Sequence, residues 1–169
     1  VELKAVDDLY PLHGTVRVEP GMPLSQALGF DDGMAGAVVE GGVLARLGLR
    51  LGDRMRVGEE TFAVRAVLIH EPDRAAASFT LGPRVLIGQS SLGKTELIQP
   101  GSLVENRYRI RFASGMDPAA WIETLKAKFP DAGWRIRDLA DAAPRIKDLV
   151  ARLGLYLTLV GLASLLVGG

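Results

Sequence analysis

The sequence predicts an α+β fold in which a smaller β-rich unit interrupts the main domain, and three observations lead to that expectation. Period-two apolar alternation opens the chain and returns late in it, turn signals crowd the middle at short intervals, and one strand–helix–strand pattern follows position 100. The chain has 169 residues, 48% apolar and 24% charged, which is the composition of a folded domain.

In chain order, Val1–Val6 alternates weakly and Thr15–Val18 clearly, so two strands are expected, joined through the turn at Pro11, His13 and Gly14. Residues 19–36 are rich in Gly, Pro, Asp and Met and read as an irregular connection. Gly41 introduces a short helix over Val43–Leu47, closed by Gly48. Leu51-Gly52-Asp53 turns into a strand at Arg54–Val57. Gly58-Glu59-Glu60 then turns into Thr61–Ile69, whose apolar residues Phe62, Val64, Ala66 and Leu68 alternate. Pro72–Thr80 reads as a loop, Arg84–Ile87 as a strand, and Gly88–Ser102 as turn-rich, with Pro100-Gly101 the strongest break.

Tyr108, Ile110 and Phe112 alternate with Arg107, Arg109 and Arg111, the pattern of a half-buried strand. Asp117-Pro118 is a helix start, an N-cap followed by a residue suited to the first turn. Trp121, Ile122, Leu125 and Phe129 share one face of that helix, Pro130 stops it, and Trp134–Asp138 forms a further strand. The resulting division falls near residues 36 and 100.

Charge and side-chain chemistry exclude several functions. Twenty basic residues balance twenty acidic ones, and a formal net charge of zero argues against a nucleic-acid-binding module. The absence of cysteine excludes disulfides, zinc–thiolate sites, iron–sulfur clusters and thiol catalysis, and two histidines, His13 and His70, leave little for a histidine metal site. His70-Glu71 with Asp73 reads as an exposed charged loop. Asp31-Asp32 and Glu59-Glu60 read as solvated turns, and Ser90-Ser91 lacks a nearby base. No catalytic, cofactor-binding or metal-binding residue set is expected, and the chain is not expected to be an enzyme.

Gly88-Gln-Ser-Ser-Leu-Gly-Lys94-Thr95 matches the phosphate-binding pattern of nucleotide-binding loops and follows an apolar strand, Val85-Leu86-Ile87. The context rejects it. That motif needs a helix after Lys-Thr, whereas only Glu96–Gln99 separates Thr95 from Pro100-Gly101, and no apolar run ending in Asp follows. An ordinary polar loop is expected.

The tail carries the most uneven composition. From Leu153 to Gly169 no residue is charged; a membrane-spanning helix needs about 17–25 apolar residues. Ahead of it, Ile146, Leu149, Val150 and Leu153 fall at helical spacing, opposite Arg145, Lys147, Asp148 and Arg152. One continuous helix from Pro144 would measure about 38 Å over about 25 residues at about 1.5 Å each. Gly154, Thr158, Gly161, Ser164 and Gly168 form a small-residue stripe suited to close helix packing in a bilayer. The expectation is a piece of a longer membrane protein; the alternative is a soluble domain with a buried C-terminal helix.

Four stretches resemble a known family: Leu44-Ala-Arg-Leu-Gly-Leu-Arg-Leu-Gly-Asp53, Glu71-Pro-Asp-Arg74, Leu81-Gly-Pro-Arg-Val85 and Leu97-Ile-Gln-Pro-Gly-Ser102. With the charged start and apolar run of the last helix, they make the chain similar to the extracytoplasmic domain of FtsX-like permeases of ABC transporters, closest to the YbbP-type permeases encoded beside a cognate ATPase. The Leu-Gly-Asp turn is common in that superfamily; the last two stretches are more specific. The resemblance implies a periplasmic domain between the first and second transmembrane helices. As in MacB-like proteins, residues 1–36 and 100–143 would form a ferredoxin-like, porter-type half. Residues 37–99 would form an inserted β-rich subdomain, and 144–169 a stalk leading into a transmembrane helix. It also implies mechanotransmission: a separate cytoplasmic ATPase subunit moves the helices of a permease homodimer in the bacterial inner membrane, and the stalk passes that motion to a domain acting on a lipid or envelope protein. A membrane-anchored binding or adaptor domain without an ATPase is the alternative.

Overall fold

A computed structural model describes residues 1–72, 82–137, 153 and 156–158. The loop expected over Pro72–Thr80 and the stalk and membrane helix over 144–169 therefore lie largely outside the described residues. Among the described residues no helix is long and apolar enough to cross a membrane.

The chain divides into two compact units, 1–109 and 110–169. The first is built on a mixed seven-stranded sheet. Its strands are β1 (Glu2–Val6), β2 (Arg17–Glu19), β3 (Phe30–Asp31), β4 (Met34–Val39), β5 (Arg54–Val57), β6 (Glu60–His70) and β7 (Arg84–Gly88). The order is β1-β7-β4-β6-β2, with β3 added to β4 and β5 to β6. β1 and β2 each pair elsewhere, β1 parallel to β7 and β2 antiparallel to β6, so they are not partners of one another. The boundary expected at residue 36 falls inside β4, and the strands of 1–36 share one sheet with those of 37–99. The mixed sheet with few helices is an α+β architecture.

The connection expected over 19–36 is ordered. It holds helix α1 (Leu24–Leu28), the β3–β4 hairpin, and the first half of the central strand. Asp32 and Gly33, at φ 51° and 75°, form the two-residue turn that joins β3 to β4, the conformation Asp-Gly favours. β4 reads Met-Ala-Gly-Ala-Val-Val without alternation because both its faces are covered. Ala35, Ala37 and Val39 point into one core with Phe62, Val64, Val85 and Ile87. Val38 points into the other with Val6, Ala27, Leu28, Ala66, Leu68 and Leu86. Helix α2 (Gly41–Leu47) supplies Val43 and Leu44 to the first core, and α1 covers the second.

Strand β6 serves both cores through a bulge. Ala37 faces Val64 while Val38 faces Ala66, so Arg65 is the extra residue, and one extra residue inverts the in/out parity of the strand beyond it. Phe62 and Val64 thus pack in one core, Ala66 and Leu68 in the other, although their spacing in sequence is unbroken. The Arg65 guanidinium donates to the carbonyls of Gln26, Gly29, Asp31 and Met34, satisfying the end of α1 and the hairpin. Alongside it, α1 lies directly on β4. A Cβ at Gly36 would sit 1.9 Å from the Ala27 carbonyl oxygen, so this approach admits only glycine.

After β7 the chain forms helix α3 (Gln89–Leu92) and a 3₁₀ turn at Gly93–Thr95, in the stretch expected to be rich in turns. In the second unit helix α4 (Pro118–Lys128) starts where its capping signal falls: the Asp117 carboxylate accepts from the amides of Ala119 and Ala120 at 3.0 and 3.4 Å. Trp121, Ile122 and Leu125 are half-buried, Trp121 stacks edge-on against Phe112, and Phe129 contacts Trp134. The strand expected at 108–112 is not formed, and Tyr108 and Ile110 are 87% and 55% exposed. Residues 134–137 of the strand expected over Trp134–Asp138 are likewise irregular, and Asp138 lies outside the described residues. Alternation defines a face, but a strand exists only when a neighbour takes up its backbone hydrogen bonds.

Candidate functional site

Two features of the first unit concentrate polar chemistry. The first is a buried ion network between the ends of the sheet. Glu71, directly after β6, has no exposed side-chain surface, and Arg84, the first residue of β7, is 3% exposed. Arg84 Nη1 donates to Glu71 Oε2, and Nη2 binds both oxygens of Glu2 on β1 at 2.9 and 3.0 Å. Lys4 Nζ and the Tyr10 hydroxyl donate to Glu71 Oε1 at 2.5 and 2.6 Å. Burial pushes the Glu71 carboxyl up, yet the donors from Lys4, Tyr10 and Arg84 outweigh it and hold the group below the usual carboxylate value. The sequence places Glu71 in an exposed charged loop with His70 and Asp73. The structure corrects this: His70 is exposed, Glu71 is buried, and Asp73 lies outside the described residues. The network links three strands through charges that only the parallel pairing of β1 and β7 brings together.

The second feature is a cleft of about 450 Å³ where β1 and β7 end. Val6 and Gly88 are register partners there. Val6, Val16, Leu24 and Leu28 line it with apolar surface, and Asp7, Asp8, Ser90, Ser91 and Lys94 are among its polar residues. Crevices at the carboxyl ends of parallel strands are where open α/β sheets hold ligands. The size lies in the range of small-molecule sites.

The Gly88–Thr95 segment forms part of this cleft, but in a conformation unlike a nucleotide loop. Lys94 and Thr95 end a short helical stretch instead of starting one. The Thr95 hydroxyl is fully buried, donates to the Leu92 carbonyl at 2.7 Å and accepts from the Leu97 amide, so it serves the backbone of its own loop. Lys94 Nζ lies 5.1 Å from the centre of the Phe30 ring.

The remaining candidates stay apart. Asp31 and Asp32 shape the hairpin turn, Glu59 pairs with Arg56 at 2.7 Å, and His13 is exposed in the loop after β1. Arg107 binds Glu105 at 2.9 Å. Among the described residues no group of three or more histidines or carboxylates could hold a metal ion. Sequence reasoning missed Asp8 and Glu71 as site residues, since Asp8 lies about eighty positions from Ser91 and Lys94 and no local pattern joins them.

No protein-family model matches the chain, and no solved structure matches it. The chain is 33% identical over 107 residues to the uncharacterized ABC transporter permease YbbP of Escherichia coli (strain K12). The match covers 63% of this chain and 12% of that relative, so the chain spans only a small part of the relative's length. What the fold and the comparison support together is an α+β domain similar to part of an ABC transporter permease.

Proposed function

We propose that the chain is an extracytoplasmic, non-enzymatic domain of an FtsX-like ABC permease in a bacterial inner membrane. In this reading a separate cytoplasmic ATPase drives the membrane helices of a permease pair, and a stalk from residue 144 carries the motion to the domain, which faces the periplasm and works on a lipid or envelope protein. A ferredoxin-like, porter-type half and a transmembrane helix starting near Leu153 belong to the same reading. The observation that carries it is the 33% identity to a permease over 107 residues.

The first unit suits the role physically. Two cores on either side of one sheet, with the strand ends tied by Glu2, Glu71 and Arg84, make a body that can be displaced without deforming. Force applied to such a body moves it whole, because packed interiors have low compressibility.

The test is purification of the longer protein in mild detergent with the ATPase encoded beside it. The expected result is a stable complex whose ATP hydrolysis falls when either subunit is omitted. A protein that purifies alone, with hydrolysis by the ATPase indifferent to it, overturns the transport reading and favours an anchored adaptor.

A further inference from the structure

We propose that the cleft at the carboxyl ends of β1 and β7 is a binding site for a small zwitterion, a primary ammonium group joined to a carboxylate or phosphate through a short apolar body. The proposal stands whether or not a permease surrounds the domain. It rests on three polar groups that the fold leaves without polar partners among the described residues, around one apolar floor.

The first is Ser91. It is 8% exposed and lines the cleft, yet its hydroxyl makes no hydrogen bond among the described residues. The hydroxyl oxygen is not sealed from solvent, so it is available to pair with a ligand oxygen in the cleft. The second is Lys94, which forms no ion pair among the described residues and rests on the exposed ring of Phe30. The third is Asp8. Its neighbour Asp7 accepts the Leu9 amide at 3.1 Å and so shapes its own turn, whereas Asp8 binds nothing among the described residues.

Among the described residues, Asp7, Asp8 and Lys94 are the charged residues lining the cleft, and no salt bridge joins the acids to the lysine. Opposite charges that line one cleft without pairing suit a molecule carrying the complementary pair of charges. The ammonium would meet Asp8, and the anionic group would meet Lys94 and the hydroxyls of Ser90 and Ser91. Val6, Val16, Leu24 and Leu28 would cover the apolar body. A free dipeptide and a phosphoethanolamine lipid headgroup share this chemistry.

Calorimetric titration of the 169-residue chain with L-alanyl-L-leucine, and separately with a short-chain phosphatidylethanolamine below its micelle concentration, tests the proposal and separates the two sources. Binding of either supports it. The N-acetylated dipeptide amide, which has neither charge, is expected not to bind. Ser91→Ala, Lys94→Met and Asp8→Asn are each expected to weaken binding by about tenfold, with thermal unfolding of the variants confirming that they fold. Lys94→Met and Asp8→Asn alter exposed side chains and keep the test open if Ser91→Ala is unstable. Silence toward both zwitterions at about 1 mM, equal binding by all three variants, or a response to ATP alone overturns the proposal.

Discussion

The two units contain the same kind of apolar alternation and put it to different use. In the first, Phe62, Val64, Ala66 and Leu68 are buried because β6 has hydrogen-bonded neighbours along its length. In the second, Tyr108 at the boundary, Ile110 and Phe112 alternate just as well, but the backbone there is irregular and the side chains are largely exposed. Alternation therefore measures which residues could share a face, and pairing decides whether a strand forms. The helix shows the opposite dependence. α4 satisfies its own backbone and needs only a cap and a start residue, which Asp117 and Pro118 supply.

This contrast predicts that stability is concentrated in the first unit. Both tryptophans, Trp121 and Trp134, belong to the second, so selectively excited tryptophan emission reports one unit while far-ultraviolet circular dichroism reports mainly the sheet of the other. Phe62→Ala is expected to cost about 3–5 kcal/mol and to shift the dichroism transition in denaturant, leaving the tryptophan transition in place. Coincident shifts would show that the units unfold together and would break the comparison.

Glu71→Gln is expected to cost about 3–4 kcal/mol, since it removes the buried carboxylate charge that Lys4 and Arg84 share and leaves the nearly buried Arg84 with Glu2 alone. It also has a pH signature. The folded Glu71 carboxyl titrates below its ordinary value of 4.5, so on acidification the unfolded chain takes up this proton first. The stabilisation is full above the unfolded value and is lost as pH falls through the lower, folded one. Thermal unfolding followed from neutral to acid pH should show this loss in the parent and a flatter profile in Glu71→Gln. Equal acid slopes would remove Glu71 as the responsible group.

The smallest effect belongs to the second unit. Asp117→Ala removes the α4 cap and is expected to cost about 1 kcal/mol, visible in tryptophan emission and not in the unfolding of the sheet. A shift of the sheet transition by the same amount would instead mean that α4 contributes to the stability of the first unit.

Features that a few neighbouring residues can settle were legible in the sequence. These include α2 with Gly48 at its end, α4 with its cap, the turns before β5 and β6, and the strands at Glu2–Val6 and Arg84–Gly88. The short helical stretch at Gln89–Leu92, with Lys94 and Thr95 at its end, was not legible, since that stretch reads locally as a polar loop. The central strand was not legible. Met34–Val39 lacks alternation because it is covered on both sides, and its glycine, a mark of looseness in a local reading, is there because α1 presses on it.

The chain's composition and local patterning by themselves determined that this is an α+β protein without thiol chemistry, with an uncharged tail and no local catalytic motif. Propensity, capping and alternation act within a few residues, so a linear reading reaches them. The tertiary structure alone decided that Glu2, Lys4, Glu71 and Arg84 form one buried network, that Arg65 turns β6 from one core to the other, and that Asp8, Ser91 and Lys94 line one cleft. The network and the cleft both depend on β1 lying parallel beside β7, a pairing between residues about eighty positions apart. Such pairing comes from burial of two apolar faces over the whole sheet, a sum that no local stretch of sequence contains.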